Sequence, residues 1–345
     1  MKMTMIVISG LAVGLLALTS CAAGTDGTTG DGVSTSAVAG EGVTQYPLAL
    51  ENCGLEVIYD RVPQRAVTLN QSAALILIRL GVGDRIVGTG DQNAEPVPDD
   101  IADEYENIPL LAAKGQAVRH EALLAAQPDF VYSQMASFFA DDQVGGREGL
   151  HGLDVPTYLS VLDCVYRGKV DNVSLDLLFE DYANLAEIFD VPAAGERLIQ
   201  EQQAIIEDGL AAAKQIEGTP TVMWFYSTYN GTPYVAGPGG LPQHVTDLIG
   251  AKNVFDGAST KWHETSWDEV ASRDPYAIVV ADVYRGQPGD TAEEKIAILK
   301  SDPLTRNLDA VKNDRFIIIP GRDMDPSFAY AVPRVAEGLV ALYNQ

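Results

Sequence analysis

LIRLGVGDRIVG at residues 77–88 and VTDLIGAKNVFD at residues 245–256 say the same thing twice: an apolar helical run stops at a glycine, Gly81 or Gly250, and a short strand-like run follows. Each has a matched sequel. HEALLAAQPDFVYS (120–133) and WDEVASRDPYAIVVAD (267–282) both read as a helix, a turn marked by Pro128 or Pro275, and a strand. Helices alternating with short β-branched runs predict an α/β protein with mainly parallel sheets, and the repetition predicts two similar lobes. The predicted strands are Ala66–Leu69, Arg85–Thr89, Asp129–Ser133, Pro156–Leu159, Thr221–Tyr226, Ala277–Ala281 and Arg315–Ile319.

Between the fourth and fifth strands, Ser174 to Ile216 has almost no turn signal, and Leu177, Leu178, Tyr182, Leu185, Ile188 and Phe189 recur at helical spacing. This predicts a long connecting helix, broken once at Pro192. The expected division is an N-terminal lobe at 45–173, a connecting helix region at 174–216 and a C-terminal lobe at 217–345. In open parallel sheets ligands bind beyond the carboxyl ends of the strands, so two facing lobes predict a ligand cleft between them.

The start of the chain places the protein. Lys2 precedes an apolar run from Met3 to Leu18, and no further Lys or Arg follows until Arg61, which favours an export signal at 1–20 over a stop-transfer helix. LTSCA at 18–22 resembles a lipobox, making Cys21 the expected lipidated N-terminus and 21–44 a Gly/Thr/Asp-rich tether that holds the protein on the outer face of the membrane. Cys53 and Cys164 are then left in an oxidising compartment. An even count there suggests a bridge, with two separate buried thiols as the alternative.

Composition excludes one class of partner. The chain has 345 residues, 46% of them hydrophobic, enough for a large core. With 23 Lys plus Arg against 48 Asp plus Glu the formal charge is −25, which repels nucleic acid. No G-x-S-x-G elbow, P-loop or H-E-x-x-H occurs, so no catalytic residue is assigned, and the four histidines are read as surface or capping residues with no resident metal or cofactor.

R61-V-P-Q-R-A-V-T-L-N70 running into SAALILIRLGVGDRIVG resembles the opening of the substrate-binding lipoproteins of iron-siderophore, haem and cobalamin importers. LLAAQPDFVYS, GLDVPTYLS, DLIGAKNVF, SRDPYAIVVAD, VKNDRFIIIPG and the final VPRVAEGLVALYNQ extend the resemblance over nearly the whole mature chain, while NCG at 52–54 and DCV at 163–165 resemble a subset of that family. The resemblance implies a monomeric receptor that hands a metal chelate to an ABC permease. It also implies an acidic docking residue on each lobe. Leu75 stands where the first is expected, with Asp91 a possible substitute, and Asp247 stands near the second.

Strand ends supply the expected ligand-binding residues. These are Asn70, Gln71, Gln92, Ser133, Gln134 and Met135 in the first lobe, and Trp224, Tyr226, Arg285 and Arg322 in the second. Asn70 could equally cap the following helix. Aromatic rings suit bulky chelates, and the two arginines suit the anionic oxygens of a ferric siderophore. The leading reading is a ferric-siderophore receptor with no chemistry of its own. The alternatives are capture of bare Mn or Zn, or a lipid-anchored enzyme on the same scaffold.

Overall fold

The computed structural model describes residues 41–91, 95–168, 173–324 and 327–343. The expected signal segment, Cys21 and the tether up to residue 40 lie outside the described residues. From Glu41 the chain is fastened. The backbone N–H groups of Gly42, Val43 and Thr44 donate to the Asp190 carboxylate at 2.5, 2.8 and 2.8 Å, so residues 41–44, expected in the tether, join the folded body.

A hairpin of Leu48–Asn52 (β1) and Leu55–Tyr59 (β2) leads into the first lobe. Its sheet is wholly parallel: Ala66–Thr68 (β3), Ile86–Thr89 (β4), Phe130–Ser133 (β5) and Thr157–Leu159 (β6) lie in the order β4-β3-β5-β6. Alternate residues serve opposite faces. Ala66, Phe130 and Tyr132 enter one apolar cluster, Val67 and Val131 another. Cover on both faces is why these strands read as unbroken apolar runs. Their helices are Gln71–Arg79 (α1), Ala102–Glu106 (α2), His120–Ala125 (α3), Arg147–His151 (α4) and Val161–Gly168 (α5).

The connecting region is two helices, Leu175–Ile188 (α6) and Pro192–Ala213 (α7). Proline sits in the first turn of α7, where its missing N–H costs nothing. The break falls at Pro192, as the sequence predicts.

The second lobe has strands Thr221–Tyr229 (β7), Thr232–Ala236 (β8), Lys252–Asn253 (β9), Trp262–Glu264 (β10), Ala277–Asp282 (β11) and Phe316–Pro320 (β12). They run β10-β8-β7-β11-β12, with β9 also beside β7. β7, β9, β11 and β12 are parallel, and β8 alone runs the other way, pairing antiparallel with β7 on one side and β10 on the other. Helices Leu241–Leu248 (α8), Trp267–Arg273 (α9), Ala292–Ser301 (α10), Asp309–Lys312 (α11) and Ala331–Tyr343 (α12) complete it. All seven predicted strands are present. The β1–β2 and β7–β8 hairpins and β10 were not predicted, although Asn230-Gly231, both at positive φ, is a strong two-residue hairpin signal.

One apolar cluster runs through both lobes, joining Phe130 and Tyr132 to Leu185 and Leu198 of the connecting helices and to Val279 and Val335. α7 lies directly on α12. A Cβ on Gly209 would come 2.6 Å from the Pro333 backbone nitrogen, so only glycine permits that approach. No helix of the described residues is long and apolar enough to cross a membrane.

Cys53, in the β1–β2 turn, is bridged to Cys164 on α5, with Cα atoms 5.1 Å apart. The bridge ties the hairpin to the helix that follows β6.

Candidate ligand-binding cleft

The segments that follow β4 and β6 meet the second lobe through several contacts. Arg322, just after β12, donates its backbone N–H to Glu95 Oε2 at 3.0 Å and its guanidinium to the Pro96 carbonyl at 2.6 Å. Lys261 Nζ lies 3.7 Å from Asp163 on α5. Gly115, at φ +80, would bring a Cβ to 3.3 Å from the Arg285 carbonyl, so the turn after β4 rests against the loop after β11.

In the second lobe four aromatic rings form a wall. Tyr226 and Trp262 have centroids 5.0 Å apart, Tyr234 and Trp262 stack at 5.8 Å, and Tyr229 meets Tyr234 edge-on at 5.1 Å. A register irregularity between Phe225 and Ser227 breaks the strand's alternation at Tyr226. Arg285 closes one end of the wall, its Cζ 5.5 Å from the Tyr226 ring and 5.6 Å from that of Tyr229. Its Nη1 donates to the Tyr229 hydroxyl and its Nη2 to Ser227 Oγ and Asp290 Oδ1, at 3.0, 2.7 and 2.5 Å. Asp290 in turn accepts from the Gln287 backbone N–H at 3.0 Å. Behind it lies Lys295, wholly buried, whose ammonium donates to the carbonyls of Ala281 and Asp290. Burial brings that ammonium's pKa down to about 8.

The expected residues fare differently. Asn70 does sit at the N-cap of α1, but its side chain makes no cap bond; it pairs with Gln134, donating to Gln134 Oε1 at 3.1 Å. Met135 keeps a half-buried place beside it. Gln71, Ser133 and Gln134 are corrected from ligand contacts to scaffold. All three are buried, with Gln71 donating to the Glu95 carbonyl and Ser133 to that of Met135, because polar groups between strand end and helix start satisfy neighbouring backbone. Gln92 lies outside the described residues.

Trp224 does not line the cleft. It is fully buried and donates its indole N–H to Thr246 Oγ1 on α8 at 2.8 Å, since β7 is a central strand covered on both faces at that point. Tyr226, two residues on, emerges into the aromatic wall. Arg322 is spent on Glu95, and Arg285 on Asp290. Tyr229, Tyr234 and Trp262 were not among the residues expected from sequence. Recognition of the Asn230-Gly231 hairpin would have placed Tyr234 opposite Ser227.

The docking positions also change. Leu75 is fully buried within α1, and Asp91 is fully buried and 3.8 Å from Lys114 Nζ, so neither presents a surface acid. Asp247 is exposed on α8 and accepts from Gln243. A groove of about 680 Å³ beside the disulfide, lined by Leu55, Ala136, Phe139 and Leu159, adjoins the Asp163–Lys261 contact, since Ala136 N–H donates to Asp163. Among the described residues no three His, Cys, Asp or Glu side chains gather to hold a metal ion.

Known proteins share this fold. A curated vitamin B12-binding protein of Vibrio campbellii is 22% identical over 67% of this chain and 76% of its own length. Two solved structures superimpose well at 22% identity. One is a periplasmic binding protein from Veillonella parvula, with a TM-score of 0.70 over 84% of this chain and 96% of its own. The other is an ABC-type Fe3+-hydroxamate transport system from Saccharomonospora viridis, with a TM-score of 0.69 over 87% of this chain and 99% of its own. Residues 67–322, most of the two lobes with their parallel strands and connecting helices, match a single family model, and the chain belongs to the periplasmic binding protein family.

Proposed function

We propose that the protein is the extracytoplasmic receptor of an ABC importer, anchored through Cys21, which captures a siderophore-, haem- or cobalamin-type metal chelate between its lobes and delivers it to a membrane permease. The observation that carries this is the wall of Tyr226, Tyr229, Tyr234 and Trp262, set at the strand ends of one lobe and spanned to the other by Lys261–Asp163. Flat rigid rings suit a bulky chelate far better than a bare ion. The relatives named for vitamin B12 and Fe3+-hydroxamate transport support the same ligand range.

The protein acts by binding, as a monomer and with no cofactor of its own, and Asp247 serves as a docking acid on the second lobe. Trp262 makes the test direct. Titration of intrinsic fluorescence with a panel of ferric siderophores, haem and cobalamin should give saturable quenching with at least one of them. Binding only by free Mn2+ or Zn2+ would remove the reading. Mass spectrometry of the mature N-terminus tests the anchor, which an unmodified Cys21 thiol would exclude.

A further inference from the structure

Four cations stand where the lobes face each other, and each already has a carboxylate. Arg285 pairs with Asp290 at 2.5 Å, Arg322 with Glu95 at 3.4 Å, Lys261 with Asp163 at 3.7 Å and Lys114 with Asp91 at 3.8 Å. The acids are not loose counterions. Asp290, Glu95 and Asp91 are almost wholly buried, and three of the four are held by backbone: Asp290 by Gln287 N–H, Glu95 by Arg322 N–H and Asp163 by Ala136 N–H.

We infer that the cleft selects a metal chelate with no net negative charge. An anionic ligand would meet cations whose charge is already offset by carboxylates that the fold holds in place, so it would gain little net attraction and would be repelled by those acids. The ring faces of the wall carry negative potential and Arg285 already covers two of them, so the remaining surface suits neutral, amide-rich or weakly cationic ligands. The chain's charge of −25 adds a long-range field that repels anions. This inference rests on the receptor reading above and sets the charge of its ligand.

The test compares probes of different charge in the same fluorescence titration on the mature chain. Ferrichrome is a neutral ferric tris-hydroxamate, ferrioxamine B a monocationic one, cyanocobalamin a neutral corrinoid and ferric enterobactin a trianionic tris-catecholate. One of the first three should bind at least about 100-fold more tightly than the tris-catecholate, and which of them does so distinguishes a hydroxamate from a corrinoid ligand. Tightest binding by the trianion overturns the inference while leaving the receptor reading intact. Binding of haem alone, whose two propionates are anionic, also overturns the inference only, whereas binding by none of the four probes and not by haem overturns the receptor reading and the inference with it.

Asp290→Asn then unmasks Arg285, and Asp163→Asn, at a less buried position, unmasks Lys261. Each should narrow the gap between neutral and trianionic probes by about tenfold. If either folded variant leaves the ratio unchanged, the built-in acids do not set ligand charge and the inference falls.

Discussion

Arg322 and Glu95 illustrate how a single residue's role depends on what crosses to meet it. A strand-end arginine in a binding protein reads as a ligand contact, yet here the guanidinium is buried and faces an acid from the other lobe. Removing one partner strands the other. Arg322→Met should cost about 3–5 kcal/mol in urea unfolding, and Glu95→Gln in the same background should recover part of that loss. Asp181 on α6 is a second such residue. Fully buried, it accepts from Tyr158 and the Val161 N–H at 2.8 Å each and from Ser160 at 2.5 Å, joining α6 to the end of β6. Burial raises its pKa from 3.8 to about 7 despite those bonds. The folded state therefore holds this proton more tightly than the unfolded chain does. The stability so gained is complete below pH about 4 and is lost as pH rises through about 7. Between pH 5 and 8 the urea midpoint of the native protein should fall relative to that of Asp181→Asn, which has no such proton to lose. Parallel pH profiles of the two proteins check this.

At the scale of elements, α1 shows what was legible. SAALILI is apolar all round, the mark of a helix buried on every side, and Gln71 through Ile78 are all buried. The same pattern puts Leu75 in the core, consistent with its departure from the acid that the resemblance implies there. The bridge between Cys53 and Cys164 joins residues 111 apart. Replacing both by Ser should lower stability by about 2–5 kcal/mol, measured by denaturant unfolding, because the unfolded chain regains the freedom of a long loop. Contact of α7 with α12 depends on one missing side chain. Gly209→Val should force the helices apart at a cost of about 1–3 kcal/mol, read as a lowered thermal midpoint.

For the molecule as a whole, charge is the property that reaches furthest. A field of −25 acts on charged ligands over roughly a Debye length, about 10 Å at 0.1 M salt. Association of the neutral chelate should change little as salt rises from about 0.05 to about 0.5 M, whereas the tris-catecholate should bind faster in the higher salt, where repulsion is screened. Stopped-flow quenching of the cleft tryptophan measures both. The two-lobed order was legible because parallel strands and their helices carry strong local periodicities, repeated on either side of a connecting segment that breaks at Pro192. The cleft was less legible. Whether Trp224 or Tyr226 reaches it depends on where β7 ceases to be covered by α8, and no local pattern records that.

Taken alone, the sequence determined the α/β class, the pairing of similar lobes, the seven principal strands and the break in the connecting helices, because each follows from local periodicity or from residues that stop it. Tertiary structure alone decided which side chains stand between the lobes and what charge they present. Asp290, Glu95 and Asp163 meet Arg285, Arg322 and Lys261 across 5, 227 and 98 residues of chain, and for the two distant pairs neutralisation arises only when the lobes come together.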